Sequence, residues 1–181
     1  MTLGFIILGL LSDTSMTGYE LKAFLDRSIN FFWSAELSQI YRELSRLEKL
    51  GYISYKTERQ EGRPDKKIYS ITQEGSEAFI KWLKDFPNTL STPSRNEFLV
   101  RIFFSSKLHK EELISHFEAY IKELDEEMKI YESIEKMLNE KLMKDCKGDI
   151  FYQRLTVRRG LSFSRAEINW AKESIEELKR V

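Results

Sequence analysis

Apolar residues recur at three- and four-residue intervals along most of this chain, and the rhythm changes only where turn-forming residues intervene. The run Leu3 to Leu11 (LGFIILGLL) predicts a buried helix, being too short to span a bilayer and lacking the cationic flank of a secretory signal. Ser15 to Ser28 opens with hydroxyl residues suited to capping and predicts a second short helix, with Leu21, Phe24 and Leu25 on one face. A third helix is expected to start at Ser34 as N-cap, with Glu36 in its first turn, and to stop before Gly51 as the C′ residue.

The periodicity then shortens. Residues 52–57 (YISYKT) and 67–72 (KIYSIT) are rich in β-branched and aromatic residues and flank RQEGRPD, which predicts a hairpin with a cationic tip. Thr72 should cap a further helix carrying Ala78, Phe79, Trp82 and Leu83, ended by Phe86-Pro87. A polar stretch with Pro93, residues 88–96, separates two differently built halves, so the boundary is placed after residue 87.

The second half, 88–181, reads as nearly all helix. From Glu111 to about Lys144 the series Leu113, Phe117, Tyr120, Leu124, Met128, Tyr131, Ile134, Leu138 and Leu142 advances in threes and fours. A break at Lys147-Gly148-Asp149 precedes a second long pattern over 151–179, with Phe151, Leu155, Leu161, Ile168, Ile175 and Leu178. Two long helices with a short connection should pair antiparallel, and so long a seam is expected to serve a second subunit as well. Leu113, Phe117, Tyr120, Leu124, Tyr131, Leu161, Ile168 and Trp170 are the residues assigned to dimerisation, with the apolar N-terminal helix as a further contributor.

Projected at 3.6 residues per turn, residues 37–50 place Leu37, Ile40, Leu44 and Leu47 along one stripe, with Ser38, Arg42, Ser45, Arg46 and Lys49 opposite and Gln39 at the edge. Alone, such a face is an ordinary solvated surface. Here it follows a capped helix and precedes a basic-tipped hairpin, the order of a winged helix-turn-helix, whose second helix enters the DNA major groove. Arginine matches guanine, glutamine matches adenine, and serine or lysine can hold phosphate. On the wing, Lys56, Arg59, Arg63, Lys66 and Lys67 outnumber Glu58, Glu61 and Asp65. The candidate partner is therefore double-stranded DNA, despite a formal net charge of zero over 181 residues.

Composition narrows the rest. With 41% hydrophobic and 32% charged residues and three prolines, the chain is read as mainly α with one small β-hairpin. The sole cysteine, Cys146, leaves no intrachain disulfide framework, which fits a reducing cytoplasm. Cys146 beside Lys144 and Lys147 is weighed as a redox sensor against an incidental thiol. His109, Glu112 and His116 share spacing that metal ligands can use, but no fourth ligand is evident, so neither metal nor cofactor is expected. There is no Gly-rich phosphate loop and no nucleophile with a recognisable base, so the chain is not read as an enzyme. The aromatics Phe98, Phe103, Phe104, Phe117, Tyr120, Tyr131, Phe151, Tyr152 and Trp170 are weighed as an effector cavity against core packing.

Across nearly its whole length the chain resembles the PadR-like transcriptional regulators with a long C-terminal, virulence-activator-like helical dimerisation domain. The resemblance rests on LGLLSDTSMTGYELK (8–22), LSQIYRELSRLEKLGYI (37–53) and GRPDKKIYSITQEG (62–75), and more loosely on RNEFLVRIFF (95–104) and RRGLSFSRAEINW (158–170). It implies a winged helix-turn-helix over 1–87 and a helical dimerisation or effector domain over 88–181. It further implies a homodimeric repressor, acting on an inverted-repeat operator, that responds to a small-molecule effector or cellular signal. Tyr41 and Leu44 match the family's recognition helix, Gly62, Arg63 and Pro64 its wing tip, and Trp170 its C-terminal tryptophan. Asp65 stands where relatives often carry a basic or polar residue, implying a weaker wing. The alternative is a winged-helix interaction module that binds protein and reads no DNA.

Overall fold

The computed structural model describes residues 2–30, 32–59, 65–87, 95–144 and 148–180. The chain divides into two compact units, Met1–Thr92 and Pro93–Val181. It is mostly helical with one two-stranded antiparallel sheet among the described residues, as the periodicity predicts.

In the first unit α1 (Thr2–Asp13) is followed by α2 (Gly18–Ser28) and α3 (Leu37–Lys49). A capping box starts α2: the Glu20 N–H donates to Thr17 Oγ1 at 3.2 Å, and the Thr17 N–H donates to Glu20 Oε2 at 2.8 Å. The N-cap of α3 is Glu36, not Ser34. Ala35 is turned into the core, so the chain enters the helix only after it, and the Glu36 N–H donates to Gln39 Oε1 at 2.8 Å. At the other end Gly51 takes φ +72°, where a Cβ would be strained. Its N–H donates to Glu48 O at 2.9 Å and that of Tyr52 to Leu47 O at 3.0 Å, closing the helix with the pair of bonds its C′ glycine allows.

Strands β1 (Ile53–Glu58) and β2 (Lys66–Ile71) pair from Ile53↔Ile71 to Glu58↔Lys66. Each lies one residue closer to the tip than the alternation predicts, because the flanking residues serve helices. Tyr52 completes the end of α3, and Thr72 Oγ1 accepts from Gly75 N–H at 3.1 Å to cap α4 (Gln73–Lys84). Pro87 excludes Phe86 from helical geometry, and α4 stops at Lys84. Met16 pairs with the inner edge of the hairpin, its N–H donating to Tyr69 O at 3.1 Å and its carbonyl accepting from Tyr69 N–H at 2.9 Å. That bridge has no counterpart in the side-chain pattern.

Ile7, Leu8, Leu11, Leu21, Leu25, Ile40, Leu44, Leu47, Ile53 and Tyr69 form the core of this unit. Ile7 is thus consumed inside the lobe, and Phe24, expected beside Leu21 and Leu25, is exposed. Leu3, Ile6 and Leu10 remain partly buried at its edge.

The second unit contains α5 (Glu97–Phe103), a short 3₁₀ turn at Ser105–Lys107, and the long helices α6 (Lys110–Lys144) and α7 (Gly148–Arg180). Bonds between α6 and α7 run in opposite order along the two chains of residues. Tyr120 donates to Glu167 at 3.0 Å, Ser164 to Glu127 at 3.3 Å and Arg154 to Asn139 at 3.0 Å, so the helices are antiparallel. Among the described residues no helix is long and apolar enough to cross a membrane.

Candidate nucleic-acid interface

On α3 the apolar stripe is seated as its spacing predicts, with Ile40, Leu44 and Leu47 buried and Leu37 half-buried. Ser38, Gln39, Tyr41, Arg42, Ser45 and Lys49 are exposed. Their hydrogen-bonding freedom differs. The Gln39 side-chain carbonyl is engaged at the cap, and Ser45 Oγ donates back to Tyr41 O at 3.0 Å, whereas Ser38, Arg42 and Lys49 have no side-chain partner among the described residues. Arg42 therefore stands exposed on the polar face of α3.

Arg46, projected onto the same face, is engaged by a neighbour. Its Nε and Nη2 donate to Glu43 Oε2 at 2.9 and 2.8 Å, and the guanidinium lies against α1, 2.6 Å from where a Cβ on Gly4 would stand. Arg46 is half-exposed: two of its nitrogens converge on one carboxylate oxygen of Glu43 one turn back on α3, and its guanidinium packs beside Gly4 of α1.

The wing divides its cations in the same way. Lys66 Nζ stands 3.8 Å from Glu20 Oε1, linking β2 to the start of α2. The backbone N–H and hydroxyl of Thr17 hold the Glu20 carboxyl below its ordinary range, and Lys66 adds to this. Lys67 Nζ lies 3.9 Å above the ring centroid of Tyr55. Lys56 and Arg59 are exposed. Gly62, Arg63 and Pro64 lie outside the described residues, as does Cys146.

Tyr19, on α2, escaped the sequence reading. Its ring meets that of Tyr41 edge-on at 6.3 Å. The two are 22 positions apart, and the available signal was the small residue Gly18 beside Tyr19 at a helix start.

In the second unit Phe117, Leu124, Tyr131, Leu161 and Ile168 are buried between helices of the same chain, and Leu113, Tyr120 and Trp170 are half-buried beside them. The residues assigned to dimerisation therefore build the intrachain seam, because α7 already supplies the partner that the stripe on α6 requires. Phe98, Phe117, Tyr120 and Trp170 pack on one another, with Phe98–Tyr120 centroids at 4.6 Å and Phe117–Trp170 at 5.5 Å. Phe103, Phe104, Phe151 and Tyr152 are exposed. His109 precedes α6 rather than lying in it, and among the described residues no group of three or more His, Cys, Asp or Glu could hold a metal ion.

Residues 7–81 match the transcriptional regulator PadR-like family, and residues 94–179 match the virulence activator alpha C-terminal family. A probable transcriptional regulator of Mycobacterium tuberculosis, Rv1176c, is 30% identical over 99% of this chain and 98% of its own. The chain belongs to the PadR-like family of transcriptional regulators. Within that family it is 27% identical to the negative transcriptional regulator PadR of Bacillus subtilis, over 93% of this chain and 92% of that one. The structure of that PadR in complex with operator DNA superposes with a TM-score of 0.84 at 26% identity, covering 98% of this chain and 99% of the other. Its complex with p-coumaric acid gives 0.79 at 25%, covering 99% of each. The Vibrio cholerae virulence activator AphA gives 0.76 at 30%, covering 98% of each. These PadR-like relatives are named as regulators of transcription, not as enzymes.

Proposed function

We propose that this chain is a homodimeric, sequence-specific DNA-binding repressor that occupies an inverted-repeat operator in the cytoplasm and is released by a small-molecule or cellular signal. Residues 1–87 serve as the DNA-binding domain and 88–181 as the dimerisation and effector domain. The observation that carries this reading is Arg42, exposed and without a partner among the described residues at the centre of the polar face of α3, in a chain that follows operator-bound PadR along 98% of its length. Ser38, Gln39, Arg42, Ser45 and Lys49 face the groove, while Arg59, Arg63, Lys66 and Lys67 meet the backbone. Repression and effector release are supported by the name of the Bacillus relative and by its complex with p-coumaric acid.

With the seam consumed inside one chain, the second copy docks on apolar residues outside it. Leu99, Val100, Phe103 and Phe104 near α5, and Phe151, Leu155 and Phe163 on α7, are apolar and exposed in the single chain. Sedimentation at micromolar concentration is expected to give a dimer, and truncation near Pro87 a folded monomer. A monomeric full-length chain would overturn this assembly.

The DNA reading is tested by titrating a labelled duplex at several salt concentrations. Binding should weaken linearly in log–log coordinates as phosphate contacts compete with counterions. Binding that is absent, or indifferent to salt, would give the lead to a protein-interaction module.

A further inference from the structure

A line of tyrosines crosses the first unit from the start of α2 to the base of the wing. Tyr19 is 69% exposed and meets Tyr41 edge-on, their rings at 79°. Tyr41, 38% exposed, is backed by Gly18, where any Cβ would collide with its ring. On the wing Tyr55, 36% exposed, lies between Lys67 above its face and the ring of Tyr69 at 5.8 Å. Tyr69 is buried in the core of this unit.

Packing alone accounts for Tyr69. It does not account for the other three: Tyr41 and Tyr55 have rings held by neighbours and an edge left in solvent, and Tyr19 stands largely in solvent with one edge against Tyr41. A hydroxyl on a ring already immobilised loses little further freedom when it donates to a ligand. The phenols also act on one another: burial, then Tyr19, raises the Tyr41 ionisation, and burial chiefly raises that of Tyr69, with Tyr41 and Tyr55 contributing. A tyrosine with such neighbours is a neutral donor at physiological pH.

The side chains that project outward from α3, Ser38 and Arg42, are the ones placed for base edges. Tyr41 is restrained by its contact with α2 and flanks them. On a duplex the acceptors that flank a groove are phosphate oxygens. The geometry points to Tyr19, Tyr41 and Tyr55 as a clasp of neutral hydroxyl donors for the DNA phosphate backbone beside the groove that α3 enters, with Lys67 as its cation.

The clasp presupposes that the chain binds duplex DNA, and it has a signature that a cationic patch lacks. A neutral hydroxyl donates to phosphate without displacing a counterion, so it adds affinity on any sequence and leaves the salt dependence alone. The probe is a mixed-sequence duplex, titrated with the full chain and with Tyr19→Phe, Tyr55→Phe and Lys67→Met, which keep most of the apolar packing. Each phenylalanine variant is expected to bind about three- to tenfold more weakly at every salt concentration, with an unchanged slope of log Kd against log salt and an unchanged melting temperature. Lys67→Met should lower that slope by about one. If the parent binds with salt-dependent affinity and both phenylalanine variants match it, the clasp is wrong while the DNA reading stands. A slope altered in the phenylalanine variants also overturns it, since the hydroxyls would then be acting through a cation. A parent that binds no duplex removes the DNA reading and the clasp together.

Discussion

Gly18 lies directly beneath the ring of Tyr41, so close that a Cβ on residue 18 would stand 2.7 Å from Cζ of that ring and 2.9 Å from its hydroxyl oxygen. The contact joins the first turn of α2 to the exposed face of α3. Because the atoms in the way are the far end of a part-exposed side chain, Gly18→Ala should displace Tyr41 rather than unfold the unit. Stability is expected to change by less than about 1 kcal/mol, since alanine is also the better helix former. Duplex binding should fall on cognate and mixed-sequence DNA alike. Melting curves and titrations with the same preparation check both halves of this expectation.

The two arginines proposed to meet DNA, Arg42 and Arg63, should fail in different ways. Arg42→Ala is expected to cost about 1 to 3 kcal/mol on a cognate site and little on scrambled duplex, because a lost base contact is lost only where the base is right. Arg63→Ala should weaken both duplexes and reduce the salt slope by about one. Titrations of both variants on both duplexes at several salt concentrations distinguish these patterns, and melting temperatures should not move.

Phe117 is the buried centre of the aromatic cluster, in edge contact with Phe98 at 5.5 Å and with Trp170 at 5.5 Å. Phe117→Ala removes a ring from a packed site and should destabilise the second unit by about 3 to 5 kcal/mol. Urea denaturation followed by tryptophan emission reads this out, with Trp170 in contact with the vacated space.

Alkaline pH should loosen the helical hairpin. Burial, together with hydrogen bonds donated to Glu167 and Glu127, pushes the Tyr120 and Tyr131 phenols up to about 12. A folded-state value above the ordinary one near 10 means that both states are protonated below pH 10 and nothing is lost there. Between about pH 10 and 12 the unfolded chain gives up its proton first, so stability falls by at most about 1.4 kcal/mol per pH unit for each tyrosine. Urea midpoints measured from pH 9 to 11.5 should decline, and less steeply in Tyr131→Phe.

Much of this molecule is local in origin and so was legible in one dimension. Helix periods, the Thr17 and Thr72 caps, Gly51 after α3 and the β-branched strands around a Gly-Pro tip depend on residues within a few positions of one another. Together they place a winged helix-turn-helix ahead of a helical hairpin. Tertiary structure decided which surfaces remain open. An apolar stripe states that a residue needs cover but not what covers it, so the seam of α6 was satisfied by α7 within the chain. A helical projection shows which way Arg46 points at its Cα, but only the packing shows that it pairs with Glu43 beside Gly4. Tyr19 and Tyr41 meet because two helices approach at a residue without a side chain, and the Met16–Tyr69 bridge is made by backbone alone. Neither leaves a periodic trace in sequence, because the groups in contact lie on different elements and obey no common spacing.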